Sequence, residues 1–393
     1  MAREELLATY VADLPAGREE AAAEAFATGQ SIGTWLPVPG ISERMRSDHG
    51  ARVEEVRRAT DGERILGEAA DGAWILRVAF PTANFGAQFP MLFTTLLGND
   101  PSTSIAARLV ALDLPASYAA GFPGPRCGPE GWRRLTGVRD RPLLLNMIKP
   151  CTGYPPSVGA GFVREVALGG VDLVKDDELL GDPDFAPVAA RAAAYRSALD
   201  DVADETGHRA RYVANVTTRI GDLVATAEGA IAAGADAIMV NVFAVGLDGL
   251  AMLAETSLGV PILAHTAGVE TLTGARRAGF GQAVLLGDLV RLAGADAILL
   301  STPYASRPLD RAVYGAVVER MRRPADPLRP AMPTVGGGLT ADHVGPLVRD
   351  LGADALLAVG GAIQGHPEGA TAGARAIRAA IDGAVAGSQA AVR

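Results

Sequence analysis

Gly169-Gly170-Val171-Asp172-Leu173-Val174-Lys175-Asp176-Asp177-Glu178 runs from a glycine turn through a short apolar strand into four charges. Its opening has echoes further along the chain. Gly-Ala-Asp-Ala occurs at 234–237, 294–297 and 352–355, and Gly170-Val171-Asp172-Leu173 is a variant of it. Apolar stretches lie at 142–150, 171–177, 211–217, 237–243, 261–266, 297–302, 331–337 and 355–361, with Ala-rich segments of helical spacing between them. Strands that do not alternate with polar residues are buried on both faces, as in a parallel sheet covered by helices. The echo then precedes every second strand. An open doubly wound sheet shares this rhythm, but eight units suit closure into a (β/α)₈ barrel. The expected fold is α/β, with the barrel spanning 126–393.

The chain before the barrel reads differently. Helical spacing from Glu19 to Ala27 mixes with strand-like runs such as Trp74 to Phe80. This predicts a small α+β domain of ferredoxin-like type over 1–125. Gly121-Phe122-Pro123-Gly124-Pro125-Arg126-Cys127-Gly128-Pro129 is the expected linker.

Of 393 residues, 49% are hydrophobic but only 5% aromatic, so the core must be aliphatic and closely layered. A net charge of −9 argues against a nucleic-acid partner, which demands a basic face. It still allows a phosphorylated small molecule held by a metal, backbone amides or one lysine. Two cysteines, Cys127 and Cys151, make no disulfide framework. The start, Met-Ala-Arg-Glu-Glu, lacks the apolar core of a signal peptide. The most apolar stretch, Ala235 to Ala264, is broken by Asp236, Asn241, Asp248, Glu255 and Pro261, so it does not read as a membrane span. A cytoplasmic protein is expected.

In barrels of this type the active site lies at the C-terminal ends of the strands. Those ends carry Lys149-Pro150, Lys175-Asp176-Asp177-Glu178, Asn215 with Thr217, Asn241, His265-Thr266, Ser301-Thr302, Gly336-Gly337-Gly338 and Gly360-Gly361. Strand alternation turns Lys175 and Asp177 to one side, with Glu178 just past the end. Two carboxylates so close form a hard-oxygen site suited to Mg²⁺. An ammonium at Lys175 would oppose a cation there. That lysine therefore either salt-bridges the carboxylates or becomes anionic by taking up CO₂ as a carbamate. A solvated charge run is the plainer reading of the same residues. Lys149, at a strand mouth, suits a phosphate contact, a Schiff base, a general base or a structural salt bridge. His265 ends an apolar strand and is as readily a core residue. The glycines on the last two strands bring backbone N–H groups close to a ligand, as in a phosphate cradle.

Met147-Ile148-Lys149-Pro150, the Gly169–Glu178 run and Gly360-Gly361-Ala362-Ile363-Gln364-Gly365-His366-Pro367 together resemble the RuBisCO large-subunit superfamily. Gly33-Thr34-Trp35 and Leu96-Leu97-Gly98-Asn99 resemble that family's N-terminal substrate segments. The resemblance covers nearly the whole chain. It implies a carbamate on Lys175, which with Asp177 and Glu178 holds Mg²⁺. It makes Lys149 the acid/base lysine and His265 a substrate contact. Gly337, Gly338, Gly360 and Gly361 would line a phosphate site. Thr34, Trp35 and Asn99 would reach the active site of the partner in a homodimer with shared sites.

The departures carry as much information. Carboxylases of the family read Lys-Pro-Lys where this chain has Lys149-Pro150-Cys151, and His-Arg where it has His265-Thr266. Their loop after the sixth strand carries a lysine that stabilises the carboxylated intermediate, whereas Ser301-Thr302-Pro303-Tyr304-Ala305-Ser306-Arg307-Pro308-Leu309 has none. Gly336 replaces the family's serine before the seventh-strand glycines. Without that loop charge, stabilisation of the incoming CO₂ is lost. The chain thus resembles the RuBisCO-like proteins (form IV), which retain metal-assisted enolate formation without CO₂ fixation. A decarboxylase of an oxidised branched-sugar phosphate is the preferred expectation. The alternative is a methionine-salvage activity, either 2,3-diketo-5-methylthiopentyl-1-phosphate enolase or methylthioribulose-phosphate isomerase. The enolase branch has a lysine where this chain has Asn99, which weighs against it. A Schiff-base aldolase explains the lysines but not the Asp177/Glu178 pair, and a non-catalytic metabolite-binding relative leaves four intact site residues unexplained.

Overall fold

The computed structural model describes residues 3–33, 38–99, 104–325 and 327–391. Contacts divide the chain into two units. One comprises Met1–Pro123, Gly268–Leu292 and Asp310–Leu328; the other comprises Gly124–Ala267, Ala293–Leu309 and Arg329–Arg393.

The first unit is built on strands β1 (Glu5–Asp13), β2 (Arg52–Arg58), β5 (Trp74–Pro81) and β6 (Ala106–Asp113), with a two-residue ladder between β3 (Arg64–Ile65) and β4 (Glu68–Ala69). The sheet order is β2-β5-β1-β6, antiparallel throughout. Tyr10 of β1 ties down both flanking helices. Its ring packs edge-on against Phe26 of helix Glu19–Gly29 at 5.2 Å, and its hydroxyl donates to the Leu96 carbonyl of helix Phe89–Leu97 at 3.0 Å. In the same unit Leu109 bridges to Phe280, and Arg108 pairs with Glu68 at 3.1 Å.

The second unit holds the barrel: β7 (Leu143–Met147), β8 (Leu173–Lys175), β9 (Arg211–Asn215), β10 (Ala237–Asn241), β11 (Ile262–His265), β12 (Ala297–Leu300), β13 (Met332–Val335) and β14 (Leu356–Val359). The strands are parallel, pair in chain order and close with β14 on β7, so the open-sheet alternative falls. The interior is aliphatic, as the low aromatic content requires. Leu143, Leu145, Leu173, Val213, Ala237, Met239, Leu263, Ala297, Met332, Leu356 and Ala358 pack with one large ring, Trp132. Trp132 comes from helix Gly128–Thr136, which stops where Gly137 turns left-handed at φ 74°. Each strand is shorter than its apolar stretch, mainly at the C-terminal end. Ile148 and Val216 are fully buried beyond the strands, so burial runs past the hydrogen-bonded ladder and supports the loops.

The repeated aspartate has a structural explanation. Asp172, Asp236 and Asp296 each precede an even-numbered barrel strand and lock it to the strand before. Each donates its own N–H to a carbonyl (Leu144, Tyr212 and Ile262, each at 2.9 Å). Each then accepts, through its carboxylate, the N–H of that same neighbour, at 2.7, 2.9 and 2.9 Å. The fourth copy departs. Asp354 is 63% exposed and pairs with Arg133 instead.

Among the described residues no helix is long and apolar enough to cross a membrane. Asp296 also accepts the N–H groups of Cys127 and Gly128, both at 2.6 Å. Asp296→Ala should therefore strand buried donors and lower stability by at least about 3 kcal/mol. Asp354→Ala, at the exposed copy, should change it by less than about 1 kcal/mol. Urea-unfolding midpoints compare the two, and equal losses would contradict the lock.

Candidate active site

β8 ends at Lys175, and the chain continues through Asp176, Asp177 and Glu178. Alternation sends neighbouring side chains to opposite sides. Lys175, Asp176 and Asp177 are all fully buried, so each side chain must find its partners within the protein.

Asp177 pairs with Lys149, not with Lys175. The Lys149 Nζ donates to Asp177 Oδ2 at 2.5 Å and contacts Cys151 Sγ at 3.1 Å. The Leu179 N–H donates to the other Asp177 oxygen at 3.1 Å. Burial works against the Asp177 charge, but Lys149 and the Leu179 N–H outweigh it and hold the pKa below the usual carboxylate value. Burial likewise works against the Lys149 charge, but Asp177 and Cys151 overcome it and raise its pKa above that of an ordinary lysine. Lys149 is thus pinned as an ammonium.

Among the described residues, Lys175 makes no direct ion pair. Its Nζ donates to the main-chain carbonyl of Asp176 at 2.8 Å. Burial pushes its pKa down against the raising influence of Glu178, Asp177 and Asp176. Of the two sequence-derived readings, the salt-bridged Lys175 is not what forms.

Glu178 stands at the edge of the site, its side chain 31% exposed, with Oε2 at 3.5 Å from His265 Nε2. His265, at the end of β11, accepts the Ala267 N–H on Nδ1 at 3.2 Å, which leaves the proton on Nε2 facing Glu178. Burial, then Lys175 and Lys149, lower its pKa to about 3, so the imidazole is neutral. The Glu178 main chain is held by Asn215 and Asn241, whose side-chain amides reach its carbonyl at 3.3 and 2.8 Å. Asn215 in turn binds Thr217 through Oδ1.

Gly337 and Gly338 have φ of 104° and 75°, a backbone that side chains rarely adopt. The Gly337 carbonyl accepts the Ser306 N–H at 3.2 Å, and Leu309 N–H closes the loop after β12 onto the Thr302 carbonyl at 3.0 Å. A side chain at Gly360 would strike Met147, whereas Gly361 has open space around its Cα. Thr34 and Trp35 lie outside the described residues. Asn99 belongs to the first unit, just past the helix Phe89–Leu97.

One group of residues escaped the sequence reading. Asp176 accepts from Tyr212 at 2.6 Å, the Asn215 N–H at 2.9 Å and Arg191 at 3.1 Å. The signal was present in helix Val188–Thr206: Arg191 and Tyr195 share a face with Val188, Ala192, Leu199 and Val202, all buried.

Among the described residues no group of three or more His, Cys, Asp and Glu side chains could hold a metal alone. A cation site here needs a ligand of another kind, and Lys175 is the candidate. Lys149→Met would leave the buried Asp177 carboxylate with the Leu179 N–H alone. Allowing for the 34% exposure of the Lys149 side chain, the expected loss in metal-free protein is about 1–2 kcal/mol at neutral pH. Because the Asp177 pKa is lowered, this contribution is present above the ordinary carboxylate value and lost as acid protonates the folded state. Urea unfolding of both proteins should show the gap closing as pH falls; a gap that widens would contradict the pairing.

Comparison with known proteins gives a consistent result. The model of the ribulose bisphosphate carboxylase large chain catalytic domain matches residues 130–392, and that of its N-terminal domain matches residues 1–118. A ribulose bisphosphate carboxylase-like protein of Archaeoglobus fulgidus is 40% identical, covering 98% of this chain and 88% of the relative. A 2,3-diketo-5-methylthiopentyl-1-phosphate enolase of Geobacillus kaustophilus is 37% identical, covering 93% and 89%. The crystal structure of a rubisco-like protein (MtnW) from Alicyclobacillus acidocaldarius aligns with a TM-score of 0.88 at 35% identity, covering 98% and 95%.

Proposed function

The chain belongs to the ribulose bisphosphate carboxylase large-chain family, and on that premise we propose that it is an enolase-type enzyme acting on a phosphorylated diketo-sugar. The decarboxylase expectation gives way because a relative at 37% identity carries the enolase name. The observation that carries the reading is the lysine pair: Lys149 bound to Asp177 at 2.5 Å, and a buried Lys175 that donates to a main-chain carbonyl instead of pairing with a carboxylate.

The residues fit a divalent cation. Asp177 and Glu178 supply hard oxygens, and a lysine held below its usual pKa is an amine able to take up CO₂ as a carbamate, the third oxygen ligand. Mg²⁺ bound there would polarise a substrate carbonyl and stabilise the negative charge of an enolate. Lys149 then handles the proton. While Asp177 faces it, Lys149 keeps its own proton and can only donate. With Asp177 among the groups that would hold a cation, Lys149 would be without the anion that raises its pKa and would serve as the base for the proton on the carbon beside the carbonyl. By the resemblance, the enolase branch carries a lysine where this chain has Asn99, so under this reading proton removal falls to Lys149. His265, neutral and with its Nε2–H outward, serves as a hydrogen-bond donor rather than a cation. Gly337, Gly338 and Gly360 would bring main chain close to the phosphate.

With a 2,3-diketo-sugar phosphate, Mg²⁺ and bicarbonate, the protein should wash deuterium from solvent into the carbon next to the carbonyl. Lys149→Met should slow this by at least about 100-fold, and Asp177→Ala should abolish its metal dependence. Ribulose bisphosphate should gain no labelled CO₂. Unchanged exchange in Lys149→Met would assign the base elsewhere.

The working unit under this reading is a homodimer with shared sites. Leu179, Phe185 and Ile220, in the loops after β8 and β9, are 69%, 50% and 49% exposed. Large apolar side chains left open beside a site call for a cover, which the N-terminal segment of a partner would supply. Mixing inactive Asn99→Ala and Lys175→Ala proteins should then restore part of the activity, since hybrid dimers keep one complete site. No recovery after verified subunit exchange would refute sharing.

A further inference from the structure

We propose that Arg191 and Asp176 are positioning residues, whose buried ion pair holds residues 177–186 in the conformation that presents Asp177 and Glu178 to a divalent cation. The inference rests on the Mg²⁺ site proposed above and adds what shapes it. Both side chains are fully buried, 3.1 Å apart. Arg191 also donates to the carbonyls of Gly181 at 2.7 Å, Leu180 at 3.5 Å and Ala186, three points on the loop that follows Glu178. From the opposite side, Asp176 is fixed by the Tyr212 hydroxyl and the Asn215 N–H, and the Asn215 amide reaches the carbonyls of Asp177 and Glu178. One arginine and one aspartate thereby grip the loop at both ends. Arg191, Tyr212 and Asn215 all bind one Asp176 oxygen, Oδ2, which ties that carboxylate to the scaffold rather than to the cation.

The pair is poorly built for stability alone. Among the described residues, Asp176 Oδ1 and Arg191 Nε are buried without hydrogen-bond partners. Apolar residues of equal volume would fill the space with less desolvation, so fixing geometry accounts for the pair better than strength does. Even the packing bends to it. A side chain at Gly159 would lie 2.1 Å from the Tyr195 hydroxyl, whose ring rests on Tyr212 at 5.0 Å.

The test measures Mg²⁺ affinity by titration calorimetry in bicarbonate buffer and carbamate by ¹³C NMR. The double variant Asp176→Leu/Arg191→Met removes both charges without stranding either. It should fold, by circular dichroism, yet bind Mg²⁺ about 10–100-fold more weakly than wild type. Tyr212→Phe takes one hydrogen bond from Asp176 and opens no cavity. It should weaken binding at least about threefold, and it decides the matter if the double variant does not fold. The control is Asp288→Leu/Arg320→Met, a 2.8 Å pair in the other unit, which should lower the melting temperature and leave Mg²⁺ affinity unchanged. Wild-type affinity in Tyr212→Phe, or in the folded double variant, overturns the inference. Failure of the wild type itself to bind Mg²⁺ overturns the cation site, and the inference with it.

Discussion

Side-chain parity along β8 and its extension governs this molecule. A strand cannot send Lys175, Asp176 and Asp177 the same way, so three consecutive charges are divided between two environments. Asp176 goes to Arg191 and Tyr212, and Asp177 goes to Lys149. Lys175, Asp176 and Asp177 are all fully buried, and an unpaired buried charge is costly. The two carboxylates each have a cation. Lys175 has none, and the structure accommodates it by depressing its pKa rather than by pairing it. The one lysine without an anion is therefore the one able to exist as a free amine.

The barrel was legible because its signals are local. Strands buried on both faces leave unbroken apolar stretches, and the Gly-Ala-Asp-Ala echo marks where strands begin. That echo has a mechanical cause, since the aspartate at three of the four copies supplies both an acceptor and a donor to the preceding strand. Strand lengths were less legible. Ile148 and Val216 look like strand residues by composition but lie beyond the ladder, because burial and hydrogen bonding end at different places.

Within the site, residue types were readable and partners were not. Lys149, Lys175, Asp177, Glu178 and His265 all stand at or just beyond strand ends, as the barrel geometry requires. Which lysine takes Asp177 depends on how β7 and β8 align, with Met147 beside Lys175, and no spacing along the chain encodes that. The Asp176–Arg191 pair was hidden for another reason. Arg191 sits in an alanine-rich helix where a charged residue reads as solvent-facing, and only the shared face with Tyr195 and Leu199 betrays burial.

On the proposed reading, the charges bear on why enolate formation and CO₂ fixation would separate in this chain. A carbamate on Lys175 would join Asp177 and Glu178 as a third negative charge, and a divalent cation held by the three would offset two of them. As base, a neutral Lys149 would gain one positive charge while the substrate gained the negative charge of the enolate, so the net charge of the buried region would stay the same through enolisation. Adding CO₂ to the enolate would create a further carboxylate beyond this set. The loop after β12 is where a counter-charge would have to come from. It contains no lysine, its one cation, Arg307, is exposed, its backbone is tied by Leu309 to Thr302 and by Ser306 to Gly337, and its tyrosine hydroxyl donates away to Asp350. On the proposed reading, the second step would therefore lack the lysine that the family's carboxylases carry in this loop.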